Sequence, residues 1–230
     1  MSNLSKTIEH LQKKNKIFFI TTSNRREWLH EVPKSTQLAH HIAKEVGEEK
    51  VTILDIPQMK IHPCEGNVST LKGNSCWPKE ANLKDSEKNP SWCHRCRASI
   101  NNSDDELRKV SKALLESEVV IFFTSVRRWQ TNSIYQKVIE RLTRIENRHS
   151  TLGEENIIKN IQAWIIVIGH NWNNEAVVNT QKTVLEMFGF KVPKEISRWR
   201  TFTDMNDESQ KSYQWAAEQF ERDFWFSLEK

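Results

Sequence analysis

Two polar stretches hold the residue types best suited to gripping a ligand. The first, TTSNRREWLHEVPKST, follows an apolar run and enters a helical pattern, presenting Thr21, Thr22, Ser23, Asn24, Arg25, Lys34, Ser35 and Thr36 without a glycine. A phosphate placed there meets hydroxyls, the free backbone N–H groups of a helix start and one or two cations, the combination that makes helix N-termini anion sites. The bland alternative is that Ser35 is an N-cap and Arg25 a surface charge. No G-x-G-x-x-G is present, which disfavours a Rossmann dinucleotide site. The second stretch, TSVRRWQTNSIYQKVIERL, runs from Thr124 to Leu142 and joins another apolar run to another helical pattern.

A third group is Cys64, Cys76, Cys93 and Cys96, with His62 and His94 nearby. Cys93 and Cys96 form the one tight C-x2-C pair. Four thiolates suffice for a zinc or a cluster, but a single C-x2-C without a second is weak support, so free thiols are expected and no metal ligand is assigned. Adjacent His40 and His41 face different sides of a helix and cannot share a metal. His170 lies in the loop after the third apolar run; a lone histidine there is structural or touches a ligand. The chain has no G-x-S-x-G, H-E-x-x-H or Walker loop, so hydrolase and nucleotidase functions find no support.

The elements that must position these groups are legible from hydrophobic pattern. Ile17–Ser23, Val119–Ser125 and Ala163–Gly169 are short continuous apolar runs, and Val51–Asp55 is a fourth. Continuous rather than alternating apolar character means that both faces are covered, as in parallel strands between two helix layers. Helical patterns fall between them at Ser35–Val46, Asp104–Ser117, Ser133–Arg144 and Ala176–Phe188, with Leu107, Val110 and Leu114 on one face and Ile134, Val138 and Leu142 on another. The alternation predicts an α/β doubly wound sheet with helices on both faces. A closing helix is expected over about 210–226. The stretch of about 57–103 reads as an insertion, because it holds all four cysteines and four of the six prolines where only a connection is needed.

The chain has 230 residues, 37% hydrophobic and 28% charged, the balance of a soluble globular protein, expected here as a single domain over 1–230. Its net charge of +4 is spread along the chain without a basic block, so no nucleic-acid partner is expected. The polar N-terminus lacks a signal-peptide apolar core, and no apolar run approaches a membrane span, which points to the cytoplasm. Of nine tryptophans, Trp28, Trp77, Trp92, Trp129, Trp172 and Trp199 are expected in loops, where they line a flat ring or simply pack.

The second polar stretch resembles the flavin loop of the flavodoxin-like NAD(P)H-dependent FMN reductases, whose pattern runs T-P-V-R-W-G-N-x-S-S-L-Y-x-K-x-x-E-R. Thr124, Val126, Arg127, Ser133, Tyr135, Lys137, Glu140 and Arg141 match in place. So do Asp104–Asp105 before this strand and, near the end, Ser197, Arg198, Thr201, Asp204 and Met205. Iron–sulfur flavoproteins of the same superfamily bind a cluster through cysteines in the equivalent insertion. The resemblance covers roughly Lys16 to Met205 and implies a flavodoxin-like five-stranded parallel sheet.

It further implies FMN as cofactor and NAD(P)H as co-substrate. The flavin carries the hydride chemistry to a small-molecule electron acceptor, so no catalytic acid or base is required. Carried onto this chain, the FMN phosphate falls to Ser23, Arg25, Ser35 and Thr36, with Asn24 beside them. The ring falls to Thr124, Ser125, Val126, Arg127, Arg128 and Trp129, with Gly169, His170 and Asn171 at its polar edge. A homodimer is implied too, with helix Ser133–Arg144 as candidate contact. Three departures stand out: Ser125 replaces a proline, Arg128-Trp129 replaces Trp-Gly, and Ile168-Gly169-His170-Asn171-Trp172 replaces G-G-Q-D-N. Bulk in place of glycine is expected to narrow, move or close the ring site. The alternative function is therefore a divergent binding or regulatory protein that has lost flavin turnover.

Overall fold

The structure is a computed structural model that describes residues 3–24, 32–70, 73–75, 96–150, 153–168, 173–193 and 198–200. In chain order the elements are α1 (Asn3–Gln12), β1 (Ile17–Thr21), α2 (Lys34–Val46), β2 (Val51–Asp55), β3 (Asn67–Thr70), β4 (Gly73–Ser75), α3 (Arg97–Asn101) and α4 (Leu107–Glu116). They continue with β5 (Val119–Arg127), β6 (Gln130–Thr131), α5 (Ser133–Ser150), β7 (Gln162–Ile168), α6 (Asn174–Met187) and β8 (Arg198–Arg200). The expected helix over about 210–226 lies outside the described residues.

Five strands pair in parallel in the order β2-β1-β5-β7-β8. Numbered among themselves along the chain, that order is 2-1-3-4-5, the flavodoxin-like winding, with its switch point between β1 and β5. The apolar runs are continuous because the strands are covered twice. Phe18, Ile20, Val120, Phe122, Ala163, Ile165 and Val167 face a core built with α4, α5 and α6. Ile17, Phe19, Val119, Ile121, Phe123, Trp164 and Ile166 face a second core built with α1 and α2. Strand β2, at the sheet edge, is only half-buried at Val51, Ile53, Leu54 and Asp55.

Helix α1 is a finding the polar N-terminus did not announce. Its Leu11 is fully buried against the α2 face, and His10 Nε2 lies 2.8 Å from Gln162 Oε1. Helix α4 begins at Leu107 rather than at Asp104, because Asp104 and Asp105 turn their carboxylates to other partners. Helix α5 extends to Ser150, beyond the Arg144 at which the sequence pattern ends, and packs one face into the body. Tyr135, Val138, Ile139, Arg141, Leu142, Arg144, Ile145, Asn147 and Arg148 are all buried. Trp199 lies in strand β8 rather than in a loop.

The long connection after β2 includes the antiparallel pair β3 and β4, and its two ends are pinned by one arginine. Arg141 and Asp105 form a fully buried ion pair, with Nη1 donating to Oδ1 at 2.9 Å and Nη2 to Oδ2 at 2.8 Å. Arg141 also donates to His62 O at 2.6 Å, Ser99 Oγ at 2.8 Å and Cys96 Sγ at 3.2 Å. All five guanidinium N–H groups are thereby engaged, which is what makes so deep a burial tolerable. Burial alone would raise the Asp105 carboxyl and is the largest influence on it. The hydrogen bonds from Arg141, the His62 N–H and Ser99 outweigh burial and hold it below the usual carboxylate range. The sequence matches at Asp105 and Arg141 are thus a structural clamp, not ligand groups.

Candidate functional site

The chain leaves the carboxyl end of β1, enters α2, and returns to the amino end of β2, so the N-terminus of α2 sits at the carboxyl side of the sheet. That is where open parallel sheets bind ligands, outside the strand ends at the switch point. The N-cap of α2 is Pro33, which makes no side-chain cap. Ser35 is therefore not the cap, and its role as a mere N-cap is ruled out. Ser35 and Thr36 stand in the first turn, 2% and 0% exposed, and Ser35 Oγ and Thr36 Oγ1 have no hydrogen-bond partner among the described residues. A buried hydroxyl without a partner costs about 1–3 kcal/mol. Each of these two stands in the first turn of a helix with no side-chain cap, where backbone N–H groups are also free to meet an anion.

The strand ends beside it are cross-linked. Thr21 Oγ1 donates to Asp55 Oδ1 at 2.6 Å, tying β1 to β2. Thr22 donates both its N–H, at 3.0 Å, and its hydroxyl, at 3.1 Å, to Phe123 O, tying β1 to β5. Asn132, 2% exposed, was not singled out from the sequence, although an Asn before a helix is a cap signal. Its Nδ2 lies 3.1 Å from Thr22 Oγ1, 3.0 Å from Thr124 Oγ1 and 3.1 Å from Ser125 Oγ, while its Oδ1 accepts the Tyr135 N–H at 2.9 Å. One side chain thus caps α5 and holds the ends of β1 and β5 together.

Beyond Ser125, β5 turns back through β6, pairing Val126 with Thr131 and Arg127 with Gln130. Arg128 and Trp129 form the two-residue tip, with φ of 46° and 67°. Both are left-handed, the geometry of a tight hairpin that asparagine and glycine normally supply. The substitutions at the glycine position have therefore not unwound the turn; the backbone keeps the left-handed form at about 1–2 kcal/mol per residue. The side chains point outward enough that Trp129 is 63% exposed. Arg127 and Arg128 are exposed as well. Asn173, itself at φ 63°, reaches from the start of α6 toward Trp129 O at 3.4 Å, linking the loop after β7 to this hairpin.

The candidate residues are thus placed as follows. Ser23, Ser35, Thr36 and Thr124 are buried at the carboxyl end of the sheet, Ser125 and Val126 are half-buried, and Asn24 is exposed. Arg25, Gly169, His170 and Asn171 lie outside the described residues, as do Cys76 and Cys93. Tyr135, matched in sequence, is fully buried core with its ring edge-on to Phe122, and burial pushes its phenol far up. Cys64 and Cys96 are free thiols. Among the described residues, no three His, Cys, Asp or Glu side chains converge as a metal site requires. No helix among them is long and apolar enough to cross a membrane. A groove of about 580 Å³ along β2 and α4 contains Lys16, Lys50, Lys109 and Lys112, but it runs to the amino ends of the strands, away from the orphaned hydroxyls.

No protein-family model matches the chain, and no curated protein matches it in sequence. Solved structures do resemble it. The structure of RosB with bound intermediate 8-demethyl-8-formylriboflavin-5'-phosphate superposes with TM-score 0.55 at 14% identity, over 81% of this chain and 64% of that one. This chain therefore spans less than two thirds of the length of RosB. Azoreductase from Bacillus anthracis str. Sterne gives TM-score 0.46 at 12% identity, over 94% of this chain and 100% of that one. The NADPH-quinone reductase from P. pentosaceus gives 0.46 at 9% identity, over 88% and 94%. With the strand order, the doubly covered sheet and the RosB likeness in agreement, the chain has the flavodoxin-like fold, the fold of the FMN reductases its sequence resembles.

Proposed function

We propose that this protein is an FMN-dependent oxidoreductase that takes hydride from NAD(P)H and delivers electrons to a small acceptor such as a quinone or a nitro compound. The observation that carries the proposal is the pair of buried, unpartnered hydroxyls of Ser35 and Thr36 at an uncapped helix start beside the switch point. Their chemistry fits a phosphate, which supplies acceptor oxygens and a negative charge that the helix dipole favours. The flavin phosphate derivative named in the RosB structure supports the same ligand class.

In this proposal Ser23, Asn24, Arg25, Ser35 and Thr36 hold the phosphate. Thr124, Ser125, Val126, Arg127, Arg128 and Trp129 flank the ring, and Gly169, His170 and Asn171 meet its polar edge. When bound, the flavin supplies the hydride chemistry that no side chain here provides. The chain's part is positioning. Asn132 fixes the distance between the phosphate-holding and ring-holding strand ends, the β5–β6 hairpin offers a rigid rim, and Arg127 and Arg128 place positive charge where a nicotinamide phosphate would approach. A cytoplasmic homodimer completes the proposal, by analogy with the family the sequence resembles.

The experiment is the visible spectrum of the purified protein with FMN added. Flavin absorbance near ~450 nm that survives gel filtration and is bleached by NADPH or NADH is the expected result. A protein that stays colourless refutes it. The second function, a binding or regulatory module without turnover, is favoured by the bulky Arg128 and Trp129 at the hairpin tip and predicts that colourless outcome.

A further inference from the structure

Asn132 does more than hold two strands together, because it also sets which way the hydroxyls around it can point. Its orientation is fixed by Tyr135, whose backbone N–H at 2.9 Å can be accepted only by the amide oxygen. The amide nitrogen therefore faces Thr22 Oγ1, Thr124 Oγ1 and Ser125 Oγ, at 3.1, 3.0 and 3.1 Å. An amide NH2 donates and does not accept, and its two hydrogens are shared among the three oxygens. None of the three hydroxyl hydrogens can be directed at Asn132, so each must point elsewhere. The Thr22 hydrogen goes to Phe123 O at 3.1 Å. Those of Thr124 and Ser125 have no acceptor among the described residues.

Thr124 is fully buried, whereas Ser125 is half-buried where β5 runs out toward the hairpin. We propose that Asn132 is a positioning residue that turns Ser125 into an obligate hydrogen-bond donor, directed at an acceptor atom on the planar ring of the ligand. The inference rests on the flavin reading above and deepens it. The proline of the resembling family offers no hydrogen there, so Ser125 adds a contact that this chain makes on its own account. It would add a ring-end donor to the phosphate-end donors Ser35 and Thr36 of the proposed site.

The test measures equilibrium binding of FMN and of riboflavin, each by quenching of flavin fluorescence, to the wild-type protein, Ser125→Ala, Asn132→Asp and the double variant. Asn132→Asp keeps the oxygen that caps Tyr135 but replaces the donor with a carboxylate, so the hydroxyls reverse toward it. The expected result is about five- to tenfold weaker binding of both ligands in Ser125→Ala, and about tenfold or more in Asn132→Asp. In the Asn132→Asp background, the further change Ser125→Ala alters binding by less than about twofold, since the donor is already turned away. Loss of FMN but not riboflavin binding in Asn132→Asp would assign the effect to repulsion of the phosphate and overturn the inference. So would variants that bind both ligands like the wild type. A wild-type protein that takes up neither ligand overturns the flavin reading and this inference together. Should Asn132→Asp fail to give a cooperative thermal transition, Ser125→Ala decides alone, because it leaves the cap of α5 untouched.

Discussion

Removing the orphaned hydroxyls should have opposite effects on stability and on binding. Ser35→Ala and Thr36→Val each delete an oxygen that is buried to 2% and 0% exposure and unpartnered, while keeping the side-chain volume nearly constant. In the free protein each deletion relieves a desolvation penalty of about 1 kcal/mol or more. For a chain of this size 1 kcal/mol moves the thermal midpoint by about 2–4 °C, so the double variant should melt about 4–8 °C higher. A hydrogen bond to a phosphate contributes about 1.5–3 kcal/mol, so FMN binding should weaken about tenfold to a hundredfold per hydroxyl. Riboflavin, which lacks the phosphate, should bind the variants as it binds the wild type. Differential scanning fluorimetry without ligand and fluorescence titration with each flavin give the two readouts. Ser111→Ala is the control, because Ser111 Oγ is also buried and unpartnered but sits in α4, where it should raise the midpoint and leave both affinities alone. A lower midpoint in the double variant, or an unchanged FMN affinity, would refute the reasoning.

Four further outcomes follow from the fold. Arg141→Met leaves the Asp105 carboxylate buried without its partner and should destabilise by about 3–5 kcal/mol in urea unfolding, a larger loss than any exposed ion pair would give. Because the folded-state carboxyl of Asp105 is lowered, its stabilisation is complete above the unfolded value of about 3.9 and fades as pH falls through the folded one. Asp105→Asn should therefore flatten the acid limb of the stability profile measured from pH 6 downward. Arg128→Gly relieves a left-handed side chain at the hairpin tip and should raise the thermal midpoint by the equivalent of about 1 kcal/mol, whereas an unchanged or lower midpoint would mean the turn is not left-handed in solution. Leu11→Ala should cost about 2–5 kcal/mol if α1 is docked on the sheet, and nothing if it is not.

The sheet was legible because burial on both faces leaves a local signature. Phe18 and Phe19 face opposite cores, so the run must be apolar at every position, and the same holds from Val119 to Phe123 and from Ala163 to Ile168. Helix α1 left no such signature, since its apolar contribution reduces to a few residues that matter only once α2 and the sheet are present. The first-turn hydroxyls were legible as candidates, but their lack of partners is a property of the folded surroundings. Asn132 could be read as a cap from its place before Ser133. Its second role could not, because Thr22 lies 110 positions away and is brought near only by the β1–β5 pairing. In the same way, Arg141 lies in a helix that reads as amphipathic, and nothing local announces that Asp105, Ser99, Cys96 and His62 close around it.

What distinguishes the proposed site is the means by which it presents donors. Gly-rich phosphate loops bring backbone N–H groups inward by adopting conformations that only glycine tolerates. Here the loop after β1 has no glycine between Thr21 and Thr36, and the donors are hydroxyls on side chains held by ordinary helix and strand geometry. Such donors need an agent to fix their direction, since a hydroxyl otherwise rotates to give or to accept. At the proposed ring end that agent is Asn132. At the phosphate end it is the helix itself, whose free N–H groups and dipole make an accepting hydroxyl unfavourable and a donating one favourable toward an anion. None of these groups titrates between about pH 5 and 8. The polarity of these hydroxyl donors is therefore a fixed property of the fold across that range, suited to the acceptor-rich anionic ligand proposed above.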